Sequence, residues 1–153
     1  MSEVGGSEVE ASAVEGGCFC GGLRYRIAGE PRDAAYCHCR MCQRSVGAPV
    51  VAWGTWPAER FAWTKGEPHL LASSPHGERL FCRDCGTQLL FRDPTEPEAV
   101  DVNLVTLDDP ARFPPTYHIW TDSHVAWFEI GDELPQYPEG GAVTAAAAAA
   151  EKV

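Results

Sequence analysis

Hydrophobic and polar positions alternate with a period of two over short runs of this chain. Leu23-Arg24-Tyr25-Arg26-Ile27 puts every second residue on one face, the pattern of a half-buried strand. Val100-Asp101-Val102-Asn103-Leu104 repeats it and runs on to Leu107, where Asp108-Asp109-Pro110 stops it. Four more β-prone runs, at residues 34–36, 50–53, 89–91 and 125–130, are bounded by Gly, Pro or Asp. Twelve prolines and fifteen glycines, several of them between these runs, leave little room for long helices. Residues 40–46 read as one turn or a short helix. The pattern predicts a mainly β fold of short strands, with Trp53, Trp56, Trp63, Trp120 and Trp127 as large core or rim fillers.

Both ends lie outside that pattern. Residues 1–17 are mostly Gly, Ser, Ala and Val with four glutamates and no basic residue, the composition of a disordered acidic tail. Beyond Pro138, Gly140-Gly141 leads into an alanine run, so residues 139–153 read as an Ala-rich tail. The expected folded domain is residues 18–138, enough for a modest core. No apolar stretch approaches the roughly 18 residues needed to cross a bilayer. The N-terminus has neither the basic start nor the apolar run of a signal peptide. The expectation is a cytoplasmic protein with no membrane partner.

Charge narrows the partners further. Lys plus Arg number 12 against 22 Asp plus Glu, a net charge of −10. Nonspecific nucleic-acid binding needs a basic face to neutralise phosphates, and this chain offers none. Local basic character exists at Arg40 and Arg44, where an acidic small molecule could be drawn.

The chemistry sits in the cysteines. All seven fall into three clusters: Cys18-Phe19-Cys20, Cys37-His38-Cys39-Arg40-Met41-Cys42, and Cys82-Arg83-Asp84-Cys85. A disulfide framework would leave an odd thiol, and a thioredoxin-like pair would need a βαβ context that the Gly-, Pro- and aromatic-rich flanks do not supply. Zinc accepts several thiolates at about 2.3 Å, so cysteines one or two residues apart can share it. Four ligands close a structural site and three leave a position open, so seven suggests one site of each kind. Read as a strand, Cys18 and Cys20 would point to one face. Cys82-x-x-Cys85-Gly86 has the form of a zinc knuckle, with Gly86 free to turn at positive φ. It can complete a shell with Cys18 and Cys20, or alternatively with Cys39 and Cys42. Cys37, Cys39 and Cys42 can hold zinc on three sides, the form of a catalytic site, although purely structural use of this cluster stays open. In an extended segment His38 would point away from its neighbouring cysteines, as a surface or supporting histidine. A trithiolate zinc is soft, and capture of a small thiol as the thiolate suits it better than carbonyl polarisation.

These motifs, together with Gly21-Gly22-Leu23-Arg24-Tyr25, Gln43-Arg44, Gly86-Thr87-Gln88-Leu89 and His118-Ile119-Trp120, resemble the glutathione-dependent formaldehyde-activating enzymes. That family shares its domain with centromere protein V, and the resemblance covers nearly all of residues 18–130. It implies a β-tent zinc-binding fold of short antiparallel strands and up to two Zn2+ per chain. It also implies a structural zinc on Cys18, Cys20, Cys82 and Cys85 and a catalytic-type zinc on Cys37, Cys39 and Cys42. The implied activity is that of a carbon–sulfur lyase, the reversible condensation of glutathione with formaldehyde to S-hydroxymethylglutathione. Arg40, Arg44 and Arg79 are the candidates for holding glutathione's carboxylates. The alternative is a non-catalytic, zinc-stabilised binding module of the same fold. Oligomeric state is not legible.

Overall fold

A computed structural model describes residues 12–140; the expected tails over residues 1–11 and 141–153 lie outside the described residues. The mainly β expectation holds. Ten strands are described: β1 Val14–Gly17, β2 Arg24–Ile27, β3 Asp33–Cys37, β4 Val51–Pro57, β5 Phe61–Lys65, β6 His69–Ser74, β7 Gly77–Phe81, β8 Gln88–Arg92, β9 Ala99–Asn103 and β10 Tyr117–Ile119. A seven-residue helix, α1, runs from Arg40 to Val46. Within the stretch read as one domain, the chain forms two compact units. Among the described residues, the first takes in those up to Asp33 together with Gly54–Phe113, the second Ala34–Trp53 and those from Pro114 onward.

The first unit contains a three-stranded antiparallel sheet in the order β1–β2–β5. It also carries the strand order β4–β9–β8–β7–β6, in which β6 to β9 pair as an antiparallel meander. The alternation in β2 does what the sequence predicts: Tyr25 and Ile27 are fully buried while Arg24 and Arg26 are not. Tyr25 stacks on Phe61 at 5.2 Å and meets Trp63 edge-on. Its hydroxyl bonds Thr106 Oγ1 at 2.7 Å. Trp56, also fully buried, packs edge-on against Phe113 and donates its indole N–H to the Gly29 carbonyl. Each such large side chain taken out of water stabilises the unit by about 1.5–3 kcal/mol.

The second unit has the order β10–β3–β4, with β10 parallel to β3 and Ile119 in register with Cys37. Its interior is smaller and more polar: His38, Gln43 and His118 are buried beside Ala35, Val51 and Tyr117.

Three expectations need correction. Residues 14–17, assigned to the tail, form β1, because the amides and carbonyls of Val14–Gly17 find partners on β2 from Ile27 back to Arg24. The run past Asn103 is not strand: Leu104–Thr106 is a 3₁₀ turn, with the Thr106 hydroxyl donating to the Asn103 carbonyl. Residues 125–130 are not strand either. Phe128 N–H closes a turn onto the Val125 carbonyl, and apolar propensity without a neighbouring strand does not make a ladder.

Candidate metal centres

The first unit brings Cys18, Cys20, Cys82 and Cys85 together, with all four sulfurs within 4.8 Å of one another. The sequence reading placed Cys18 and Cys20 in a strand. They lie instead in the turn after β1, closed by Gly21 N–H to the Cys18 carbonyl. Convergence comes from that turn. Leu23 N–H donates to Cys18 Sγ at 3.2 Å and Gly22 N–H to Cys20 Sγ at 3.4 Å. Cys82 and Cys85 follow β7 in a second turn, where Gly86 N–H bonds the Cys82 carbonyl and Gly86 sits at φ 81°, as the knuckle requires.

The spacing fits a metal shell. Cys18 and Cys20 sulfurs lie 3.6 Å apart, and Cys20 and Cys82 sulfurs 3.7 Å. A tetrahedral zinc with sulfurs at about 2.3 Å has edges of about 3.8 Å, whereas a disulfide bond is close to 2 Å. The thiols share their protons unequally. The Thr87 hydroxyl and amide draw Cys85 down to about 5. The Gly22 amide pulls Cys20 down, but Cys18 and Cys82 outweigh it and push it up to about 12. For Cys18, burial raises the thiol, yet the Leu23 amide and the Cys20 and Cys82 thiols together bring it below its ordinary value. A cation among these sulfurs relieves their mutual repulsion, so metal binding and deprotonation are coupled.

The second unit gathers Cys37, Cys39 and Cys42, again with sulfurs within 4.8 Å of one another, and no fourth His, Cys, Asp or Glu joins them among the described residues. Cys37 ends β3, Cys39 caps α1, and Cys42 lies in its first turn. The Cys42 amide donates to Cys39 Sγ at 3.3 Å, so the thiol does the work usually left to a Ser or Asp cap. Hydrogen bonding with Cys39 and Cys42, then burial, pushes the Cys37 thiol far up. Crowded against two other sulfurs without a countercharge, the Cys37 thiol holds its proton, and a metal ion can replace it.

Helix α1 is pinned by Gln43. Its amide N–H groups donate to the His38 carbonyl at 2.7 Å and the Ser123 carbonyl at 3.1 Å, and its oxygen accepts from Arg40 Nη1 at 2.6 Å. Arg40 and Arg44, one helical turn apart, line a groove of about 230 Å³ with Pro49, Val125 and Trp127. Trp127 is 77% exposed, an unusual position for a large aromatic side chain. Arg79 is elsewhere, buried in the first unit with its guanidinium over the Phe91 ring.

His38 is neither a surface residue nor part of the sulfur cluster. It is fully buried, and its Nε2 lies 2.8 Å from His118 Nδ1. His118 Nε2 in turn reaches the Asp132 carboxylate at 2.9 Å. Burial first, then the neighbouring His118 and His124, holds His38 down to about 4, so its ring is neutral. The His118 hydrogen bond keeps Asp132 below the usual carboxylate range. His118 and Asp132 also line a cavity of about 210 Å³ with Tyr36, Val50 and Phe128. Sequence reading missed Gln43, His118 and Asp132 as site residues. Only the proximity of His118 to Trp120 in one quoted motif hinted at the second, and nothing in the local pattern flags Asp132.

A family model for the glutathione-dependent formaldehyde-activating enzymes matches residues 13–123. A Halomonas elongata protein, whose name assigns it provisionally to the same enzymes, is 29% identical over 127 residues, covering 76% of this chain and 80% of its own. A Schizosaccharomyces pombe protein named as an uncharacterized lyase is 30% identical over 77 residues, 50% of this chain and 56% of its own. A crystal structure of a Rhodobacter sphaeroides protein matches with a TM-score of 0.52 at 24% identity, covering 62% of this chain and 88% of that one, a likeness of fold. No helix among the described residues is long and apolar enough to cross a membrane.

Proposed function

The chain belongs to the glutathione-dependent formaldehyde-activating enzyme family, and we propose that it is a zinc-dependent carbon–sulfur lyase acting on the adduct of a small thiol and an aldehyde. The reaction is the family's: glutathione plus formaldehyde in reversible exchange with S-hydroxymethylglutathione. The S–C bond forms as the carbonyl π bond opens, and the thiol proton ends on the new hydroxyl oxygen. Cys18, Cys20, Cys82 and Cys85 would hold a structural zinc. Cys37, Cys39 and Cys42 would hold a second, which when bound supplies a soft position favouring a substrate sulfur as thiolate.

The observation that carries this reading is the three-thiol cluster without a fourth protein ligand among the described residues, gathered at the start of the helix that carries Arg40 and Arg44. The two guanidinium groups line one groove, and glutathione brings two carboxylates. Trp127 offers that peptide an apolar wall. A thiol held reduced suits a cytoplasmic setting.

Uncatalysed addition of glutathione to formaldehyde already proceeds, so product at equilibrium proves nothing. The test is the exchange rate, measured by two-dimensional exchange NMR of the adduct with and without the zinc-loaded protein. Acceleration is expected. A rate unchanged for glutathione and for other small thiols, with two zinc ions confirmed per chain, would leave the non-catalytic zinc-stabilised binding module.

A further inference from the structure

The groove beside α1 offers charge of one sign only. Its ionisable walls are Arg40 and Arg44; the others are Gln43, Val125, Trp127 and residues 47–49, none of them acidic. The two guanidinium groups stand one helical turn apart, where like charges repel. The first turn of α1 has no acidic residue to offset them. Arg40 donates to Gln43 Oε1, a neutral oxygen that fixes its direction and leaves its charge uncompensated. The acidic side chains that follow Trp127 line the other cavity, where Glu129 and Asp132 sit with His118, and His118 engages Asp132. An anion seated between Arg40 and Arg44 relieves their repulsion, and a cation there finds no partner.

Glutathione brings both signs. It has a carboxylate at each end and an ammonium beside the γ-glutamyl carboxylate. Two arginines match the two carboxylates. Nothing in the groove matches the ammonium. Arg40, Arg44 and Trp127 are all exposed, so the ammonium of a bound ligand stays in water and keeps its hydration.

We propose that this groove selects a thiol by its two acidic groups and is indifferent to its amino group. The substrate class is then a thiol bearing two acids, of which glutathione is one member, and a thiol with its amine blocked or missing serves as well. This rests on the lyase reading for the assignment of the groove to the thiol, and it adds which parts of that thiol are recognised.

The amine of glutathione lies far from its sulfur, across the γ-glutamyl linkage, so acetylating it tests recognition with little change in thiol reactivity. Zinc-loaded protein is titrated calorimetrically with glutathione, N-acetylglutathione, glutathione ethyl-esterified at its glycine carboxylate, and cysteamine, which has no acid. N-acetylglutathione is expected to bind within about twofold of glutathione or tighter, and the ester roughly twofold to tenfold more weakly. Cysteamine is expected to bind more weakly than the ester. A clear loss of affinity on acetylation overturns the proposal, because an acidic side chain outside the groove then holds the amine.

The ester penalty should shrink in Arg40→Ala or in Arg44→Ala, since a contact already missing from the ligand cannot be lost a second time. If Arg40→Ala disturbs the helix through its bond to Gln43, Arg44→Ala and Arg40→Lys carry the comparison. A penalty unchanged in the arginine variants places the carboxylate contact elsewhere and refutes the groove. Exchange rates with formaldehyde separate this from the lyase reading. Binding that follows the acidic groups without accelerated exchange refutes the lyase and leaves the groove's preference standing. Exchange accelerated equally for cysteamine and glutathione refutes the preference and leaves the lyase.

Discussion

The two cysteine clusters are made of the same ligand and built by different means. The four-thiol cluster closes two turns, Cys18–Gly21 and Cys82–Gly86, and backbone amides aim at its sulfurs from Gly22 and Leu23. The residues around it belong to the unit with the large aromatic core of Tyr25, Trp56 and Phe113. In the three-thiol cluster the Cys42 amide donates to Cys39 Sγ, and the unit that holds it buries the polar side chains Gln43, His38 and His118. A shell complete in protein ligands joins strands far apart in sequence, and closing that long loop by metal adds to folding directly. A cluster of three within six residues closes no long loop. On the proposed reading, a metal held there would keep one coordination position for a substrate sulfur. Same chemistry, different duty: the first site is argued from what it holds together, the second from what it leaves open.

The sharpest way to break this comparison is to remove one sulfur from each side. We predict that Cys82→Ala and Cys85→Ala unfold or aggregate the protein, since each deprives two turns of their shared link. Cys39→Ala is predicted to leave a folded protein that has lost one zinc and its affinity for small thiols. Circular dichroism melts with elemental analysis decide it. A middle-cluster variant that collapses as badly as the knuckle variants would show that both sites are structural.

A smaller effect separates the sites without mutation. Mild chelation is predicted to strip one ion readily and leave the other, because three protein ligands release a metal faster than four. Equal retention of two ions, or iron in place of zinc, would count against an open site.

How much of this was legible in the sequence depends on the range of the cause. The strands β2 and β9 were read from period-two alternation, β8 from a short β-prone run, and α1 from its position, because their causes are local. The cysteine sets were legible for the same reason: ligand type and spacing constrain the metal before any fold is known. β1 was missed because Val14–Gly17 is small and Gly-rich, and its pairing with β2 comes from hydrogen bonds that composition does not show. Cys18 and Cys20 meet through a turn that a period-two reading misplaced. The histidine chain was out of reach altogether. His118 lies on β10 and His38 just past the end of β3, so their approach depends on the parallel pairing of those strands, while Asp132 arrives from a later, irregular segment; parallel neighbours leave no local mark in sequence.

Smaller again is the effect expected in the groove. Arg40→Ala and Arg44→Ala are predicted to weaken glutathione binding by about 0.5–1.5 kcal/mol each while leaving zinc content unchanged, as loss of a solvent-facing charged contact does. Calorimetric titration checks it, and Arg44→Lys should recover only part because the planar fork is lost. If Arg40→Ala instead melts the protein, its bond to Gln43 matters more than its charge.

The smallest effect tests whether the first unit is held by its metal or by its surface ion pairs. Arg24 makes a two-pronged contact with Asp108, at 2.9 and 2.5 Å, on the strand that follows the Cys18–Cys20 turn. The Arg24 hydrogen bonds, ahead of the direct charge attraction, hold the Asp108 carboxyl below its ordinary range. A lowered folded value means the pair stabilises above the unfolded pKa of about 3.9 and loses that contribution as pH falls through the lowered value. Both groups are well exposed, at 33% and 55% of their side-chain surface, so solvent screening leaves at most about 0.5 kcal/mol. Asp108→Asn is therefore predicted to lower the melting temperature by no more than a few degrees at neutral pH, with the difference from the unmodified protein vanishing in acid. Zinc content should not change. A loss as large as that of Cys82→Ala would mean that the turn before β2 depends on this ion pair, and that the four-thiol cluster is a passenger on a fold fixed by other contacts.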